Sequence, residues 1–275
     1  MSRDPLDDFT VEEFTADGKT SPVYVKGSGP AVIVIAEVPG ITPLVASFAR
    51  RVAAAGCTVF VPSLFGVDGL DPAKLARPGA FADTGRAVGS LLRKVCVSRE
   101  FTILATGRTS PVVSWLRALA REAHERCGGP GVGAIGMCLT GGFALAMAVD
   151  DTMIAPVLSQ PSLPLRVVGN ARNIDISDDD LARVKSRCAA GLQVMGLRFD
   201  GDPMVPAERF SYLRDQLGDA FIGIELPGSS ANPEALLPVP HSVVTEQLID
   251  EPGEPTREAL DRVIAFFTDK LGVSA

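Results

Sequence analysis

Residues 31–38 read AVIVIAEV, an apolar run without the polar–apolar alternation of a half-exposed strand. A parallel strand needs such a run when helices cover both faces of its sheet. The pattern recurs: CTVFVPSL, VGAIGM, MIAPVLS, LQVMGLRF and FIGIELPG are further runs of the same kind. Helical spacing marks TPLVASFARRVAAAG, which closes on Gly56, and then GFALAMAV, DDDLARVKSRCAA, AERFSYLRDQL and TREALDRVIAFFTDKL. Alternation of strand and helix along most of the chain predicts an α/β fold, doubly wound, with a mostly parallel central sheet. No composition break divides it, so residues 1–275 read as a single domain. Within it, residues 1–28 form an N-terminal hairpin around the polar stretch ADGKTS. Residues 66–110, rich in glycine and proline, form an irregular segment expected to shape the mouth of a pocket.

Charge and cysteine usage exclude several classes of partner. The net charge is −7, and an acidic surface attracts neither nucleic acid nor an anionic membrane. No apolar stretch approaches the length of a membrane span. The acidic start MSRDPLDDF lacks an apolar core, so no secretory signal is expected. Cysteines 57, 96, 127, 138 and 188 include no CxxC pair, which argues against disulfides and a zinc site. The reading is a cytoplasmic protein with reduced thiols, needing no metal and no cofactor.

In a sheet of this type, ligands bind beyond the carboxyl ends of the strands. Polar residues at those ends are Glu37, Ser63, Cys138, Ser159 with Gln160, Asp200 with Asp202, and the loop carrying His241. Cys138 lies in AIGMCLTGG, where a strand feeds a helix through a glycine-rich turn. That is the setting of a nucleophile elbow, in which a helix N-terminus favours a thiolate and the next N–H, of Leu139, faces a developing oxyanion. Thr140 stands where the elbow pattern has glycine, two residues after the nucleophile. A buried structural thiol is the competing reading of Cys138. Gly131, Gly133 and Gly136 match GxGxxG, but they precede and occupy the strand instead of opening the helix, so they do not read as a nucleotide site.

Only two histidines are present. His124 sits in LRALAREAHERC and reads as a solvated helix residue. His241, in LLPVPHSVV before the last helix, has the place of the base in the α/β-hydrolase order of nucleophile, acid, histidine. GLRFDGDPMVPAERF supplies the acid; Asp202, further into the loop, is preferred and Asp200 is the alternative.

Taken together, IAEVPGITP, FVPSLFG, GAIGMCLTGGFALAMA, RFDGDPMVPAERF and PVPHS resemble the dienelactone hydrolase family, a branch of the α/β hydrolases. The resemblance implies a cysteine nucleophile, with Cys138, Asp202 and His241 in the triad roles. It also implies that Glu37, at the end of the AVIVIAEV run, helps control protonation of the thiol by interacting with Cys138 or His241. The N–H of Val38 would then join that of Leu139 in the oxyanion hole. The alternative for Glu37 is a cap on the turn at Pro39–Gly40.

The best-known members, the carboxymethylenebutenolidases, hold a carboxylate-bearing lactone with arginines. SLFGVDGL and HSVVTEQL lack those arginines, although Arg77 or Arg86 could enter from the irregular segment. The expected partner is therefore a small-molecule ester, lactone or thioester, cleaved through an acyl-enzyme. Two other readings use the same fold: a non-catalytic small-molecule binder, and an acyltransferase with the same triad.

Overall fold

The computed structural model describes residues 4–65, 68–72, 110–164, 171–236 and 239–273. Most of the irregular segment expected at 66–110, including Arg77 and Arg86, lies outside these residues.

Two strands at the N-terminus, β1 (Thr10–Ala16) and β2 (Lys19–Gly27), pair antiparallel. Their register sets Ala16 opposite Lys19, so the loop is only Asp17–Gly18, tighter than the polar stretch suggested. Both residues have positive φ, 49° and 76°, as a two-residue hairpin turn requires.

The remaining strands are β3 (Ala31–Ile35), β4 (Thr58–Pro62), β5 (Val132–Met137), β6 (Met153–Ser159), β7 (Val194–Phe199) and β8 (Phe221–Leu226). Together they form an eight-stranded sheet in the order β1-β2-β4-β3-β5-β6-β7-β8. β2 pairs antiparallel with β4, and from β4 to β8 every pairing is parallel. This is the α/β-hydrolase fold.

The helices among the described residues are α1 (Pro43–Ala54), α2 (Pro111–Cys127), α3 (Gly141–Met147), α4 (Asp178–Ala189), α5 (Ala207–Leu217) and α6 (Pro255–Leu271). α1 and α6 pack on one face with Val32 and Val34; α2, α3, α4 and α5 pack on the other with Ile33 and Ile35. Successive side chains of β3 thus enter two different cores, which is why its sequence does not alternate. The GxGxxG glycines serve packing. A Cβ on Gly133 would lie 2.8 Å from the Phe267 ring, and one on Gly136 would lie 2.0 Å from the Thr140 carbonyl oxygen. No helix among the described residues is long and apolar enough to cross a membrane.

Candidate active site

β3 stops at Ile35, short of the end of its apolar run, and the chain turns at once: Gly40 N–H donates to the Glu37 carbonyl at 2.7 Å. Next to it, β5 ends at Met137 and Cys138 adopts φ 55°, a left-handed conformation rare for a residue with a side chain. A 3-10 turn (Cys138–Thr140) follows and runs into α3. The sharp reversal lifts Cys138 to a half-exposed position above buried neighbours.

Thr140 fits this turn without strain. Its backbone is right-handed, at φ −91°, so the position does not need glycine. Its side chain faces inward, where Oγ1 accepts from Met137 N–H at 2.9 Å. The hydroxyl proton is within reach of the carbonyls of Met137, at 2.8 Å, and Ile35, at 3.1 Å. Close approach falls instead on Gly136 and on Gly141, where a Cβ would meet the Pro161 Cα at 2.4 Å.

The structure brings Asp202 and His241 together. His241 Nδ1 lies 2.7 Å from Asp202 Oδ2, and both residues are buried. Asp202 Oδ1 accepts from Met204 N–H at 2.8 Å, so both carboxylate oxygens are engaged. Asp200 does not reach the ring; its side chain accepts from Gly228 N–H at the neighbouring strand end. Burial of the imidazole disfavours its charged form, but the charge of the Cys138 sulfur and the hydrogen bond to Asp202 outweigh it. Together they push the His241 pKa up to about 10. Nε2, the free ring nitrogen, is buried and has no hydrogen bond of regular geometry.

Val38 and Leu139, expected to present their N–H groups, pack in one small cluster with Cys138, Leu64, Phe65 and Leu163. Leu139 is the second residue of the 3-10 turn, where backbone N–H groups have no acceptor inside the helix. Among the described residues there is no group of three or more His, Cys, Asp or Glu that could hold a metal ion.

The family model for the dienelactone hydrolase family matches residues 19–174, more than half of the chain. The chain belongs to the dienelactone hydrolase family. It is a hydrolase family, and the matched span includes Glu37 and Cys138, whereas Asp202 and His241 lie beyond it. Solved structures share the fold. A Klebsiella pneumoniae subsp. pneumoniae protein assigned as a dienelactone hydrolase is 18% identical, over 94% of this chain and 98% of its own, with a TM-score of 0.62. A dienelactone hydrolase-like promiscuous phosphotriesterase from metagenomic libraries is 16% identical, over 96% and 98%, with a TM-score of 0.61. A dienelactone hydrolase from Anabaena variabilis is also 16% identical, over 96% and 98%, with a TM-score of 0.58. Comparison with curated proteins gives no match.

Two expectations need correction. Among the described residues Glu37 bonds neither Cys138 nor His241. Ser242 Oγ donates to its Oε2 at 2.6 Å, Gln160 Nε2 donates to the same oxygen at 3.2 Å, and Thr245 Oγ1 donates to Oε1. The carboxylate is therefore an anchor for the loop that carries His241, and its side chain does not cap the Pro39–Gly40 turn. A buried carboxylate is tolerable here because three donors meet it. His124 is half-buried, with Nδ1 out of contact with water, instead of solvated. α2 lies against the core on that side, through Ala123 and Ala120.

Four further residues belong to the site without a signal in the sequence. Ser242 and Thr245 sit just after the histidine, in HSVVTEQL. Ser162 Oγ lies 3.4 Å from Cys138 Sγ. Arg209, on α5, is fully buried and among the described residues donates only to backbone carbonyls, those of Pro161, Pro164, Asn173 and Met204. Ser63, by contrast, donates from Oγ to Asp68 at 3.0 Å.

Proposed function

We propose that the protein hydrolyses a carboxylic ester, lactone or thioester through Cys138, His241 and Asp202. The observation that carries the reading is the left-handed Cys138, whose sulfur acts on the His241 ring, together with the buried His241–Asp202 pair. The raised His241 pKa supports a protonated imidazole at rest, ready to act as the acid. Cys138 Sγ attacks the carbonyl carbon, and the N–H groups of Leu139 and Val38 stabilise the oxyanion. As the tetrahedral intermediate collapses, His241 Nε2–H protonates the leaving oxygen or sulfur and a thioester forms on Cys138. His241, now neutral, takes a proton from water. The hydroxide so formed attacks the thioester carbonyl, expels the Cys138 sulfur as thiolate beside the protonated His241, and releases the acid.

The side chains packed around Cys138 favour an uncharged acyl group. Val38, Leu64, Phe65, Leu139 and Leu163 are all apolar, and the buried Arg209 guanidinium is committed to carbonyls. Among the described residues, a carboxylate on the acyl part would be desolvated there without a partner.

The test is turnover of p-nitrophenyl butyrate, of its thioester counterpart, and of a p-nitrophenyl ester with a carboxylate on the acyl chain. The parent turns over the neutral substrates at least tenfold faster than the charged one, and Cys138→Ala turns over none. Equal turnover by parent and variant overturns the mechanism. Preference for the charged ester overturns the substrate class.

A further inference from the structure

We infer that Ser162 is a hydrogen-bond donor to the Cys138 sulfur and favours its thiolate form. The inference rests on Cys138 being the nucleophile of the proposed reaction. It concerns the strand end after β6, which neither the triad nor the oxyanion hole uses.

Ser162 is fully buried, and among the described residues its hydroxyl bonds only Cys138 Sγ, at 3.4 Å. A buried hydroxyl spends its proton on an acceptor, and sulfur is the acceptor within reach. When Cys138 is a thiol, either group can donate. A thiolate has no proton, so Ser162 must then donate, and a hydrogen bond to a charged acceptor is the stronger one. The difference between the two states favours the anion.

The loop is built to keep that contact. Ser162 N–H donates to the Cys138 carbonyl at 3.0 Å, which ties the two residues by backbone as well as side chain. The carbonyls on either side of it, Pro161 and Pro164, each accept from Arg209 at 2.6 Å. Pro161 presses on Gly141, where no Cβ would fit. Upstream, Gln160 turns the chain at φ 35° and is held by its bonds with Glu37 and Val243 N–H. Ser162 is thus fixed from the backbone, from α5 and from the network under the histidine loop.

The experiment is the pH dependence of iodoacetamide alkylation at Cys138, read from the mass of its peptide. Parent, Ser162→Ala and Ser162→Thr are compared, with C138A as background. S162A removes one buried oxygen and leaves the Ser162 N–H bond in place. Its alkylation midpoint is expected about one pH unit higher, with alkylation roughly tenfold slower below it. S162T, which keeps the hydroxyl, stays within about a third of a unit of the parent, a margin far below the worth of a charged hydrogen bond. An unmoved or lowered midpoint in S162A overturns the inference, and so does an equal rise in both variants. Alkylation needs no substrate, so this result stands apart from turnover by C138A, which tests the hydrolase reading.

Discussion

His241 Nδ1 and Asp202 Oδ2 are 2.7 Å apart, and the Asp202 side chain is wholly out of solvent. A carboxylate so placed fixes the tautomer of the ring and leaves Nε2 free for chemistry. Asp202→Asn keeps the shape but offers the ring an amide, which can hold the wrong tautomer. Turnover of p-nitrophenyl butyrate should fall by about 10⁴-fold in kcat with KM changed less than about threefold, following the triad precedent. Asp200→Asn should leave kcat within about twofold, since a solvent-facing group off the ring makes no transition-state contact. A D200N loss as large as that of D202N would remove Asp202 from its role.

Glu37 should act on the histidine loop and not on the thiol. Glu37→Ala leaves the donors of Ser242, Thr245 and Gln160 without their acceptor. A stability loss of about 2–4 kcal/mol in urea denaturation follows from stranding them. The pH midpoint of Cys138 alkylation should move by less than about half a unit, because Glu37 makes no hydrogen bond to Cys138. An unchanged denaturation curve with a displaced midpoint would return Glu37 to the thiol.

Much of the scaffold is legible in the chain because its cause is local. A strand covered on both faces must be apolar throughout, so β3 and β5 stand out as runs. Alternation on either side of a polar stretch marks the hairpin, although its turn at Asp17–Gly18 is shorter than that stretch. The order of strands is not local: β4 lies between β2 and β3, and no residue of β4 announces it. The same limit governs the site. Position along the chain favours Asp202 over Asp200, but only burial and the 2.7 Å bond distinguish them. Glu37 draws its partners from Ser242 and Thr245, 205 and 208 residues away, so no reading of AVIVIAEV reveals what its carboxylate does. Arg209 sits in an amphipathic helix, where an arginine reads as solvated. Its burial follows from the carbonyls of Pro161 and Pro164, of Asn173 and of Met204, which lie far from it in sequence or in other loops.

Asp175 should make stability fall as pH rises from acid toward neutral. It is 8% exposed, its Oδ2 is buried and has no partner among the described residues, and it packs against Gly142 at the start of α3. Burial raises its pKa to about 7, with the Arg209 charge opposing. The unfolded carboxyl releases its proton near pH 3.8 while the folded one keeps it to about pH 7. Between those values the folded state binds more protons, so folding weakens with rising pH, and the penalty is constant above. Asp175→Asn removes the titration. Its stability relative to the parent should therefore rise by about 1–3 kcal/mol between pH 4 and pH 8. A difference that stays flat across that range would place the proton elsewhere.

Thr140 should be better for this elbow than the glycine that the nucleophile pattern has there. The steric need of the turn is met by Gly136, so glycine at 140 relieves no clash. It would strip the acceptor from Met137 N–H and add backbone freedom to the unfolded chain. Thr140→Gly should cost about 2–3 kcal/mol, from one buried donor left unpaired and one glycine in a regular conformation. Thr140→Ser keeps the oxygen and should cost less than about 1 kcal/mol, mostly the buried methyl group. Urea denaturation of both variants checks the order. Because Met137 immediately precedes the nucleophile, loosening its N–H should also lower kcat in T140G while T140S stays near the parent. A T140G protein as stable and as active as the parent would mean that the elbow is held by Gly136 and Gly141 alone.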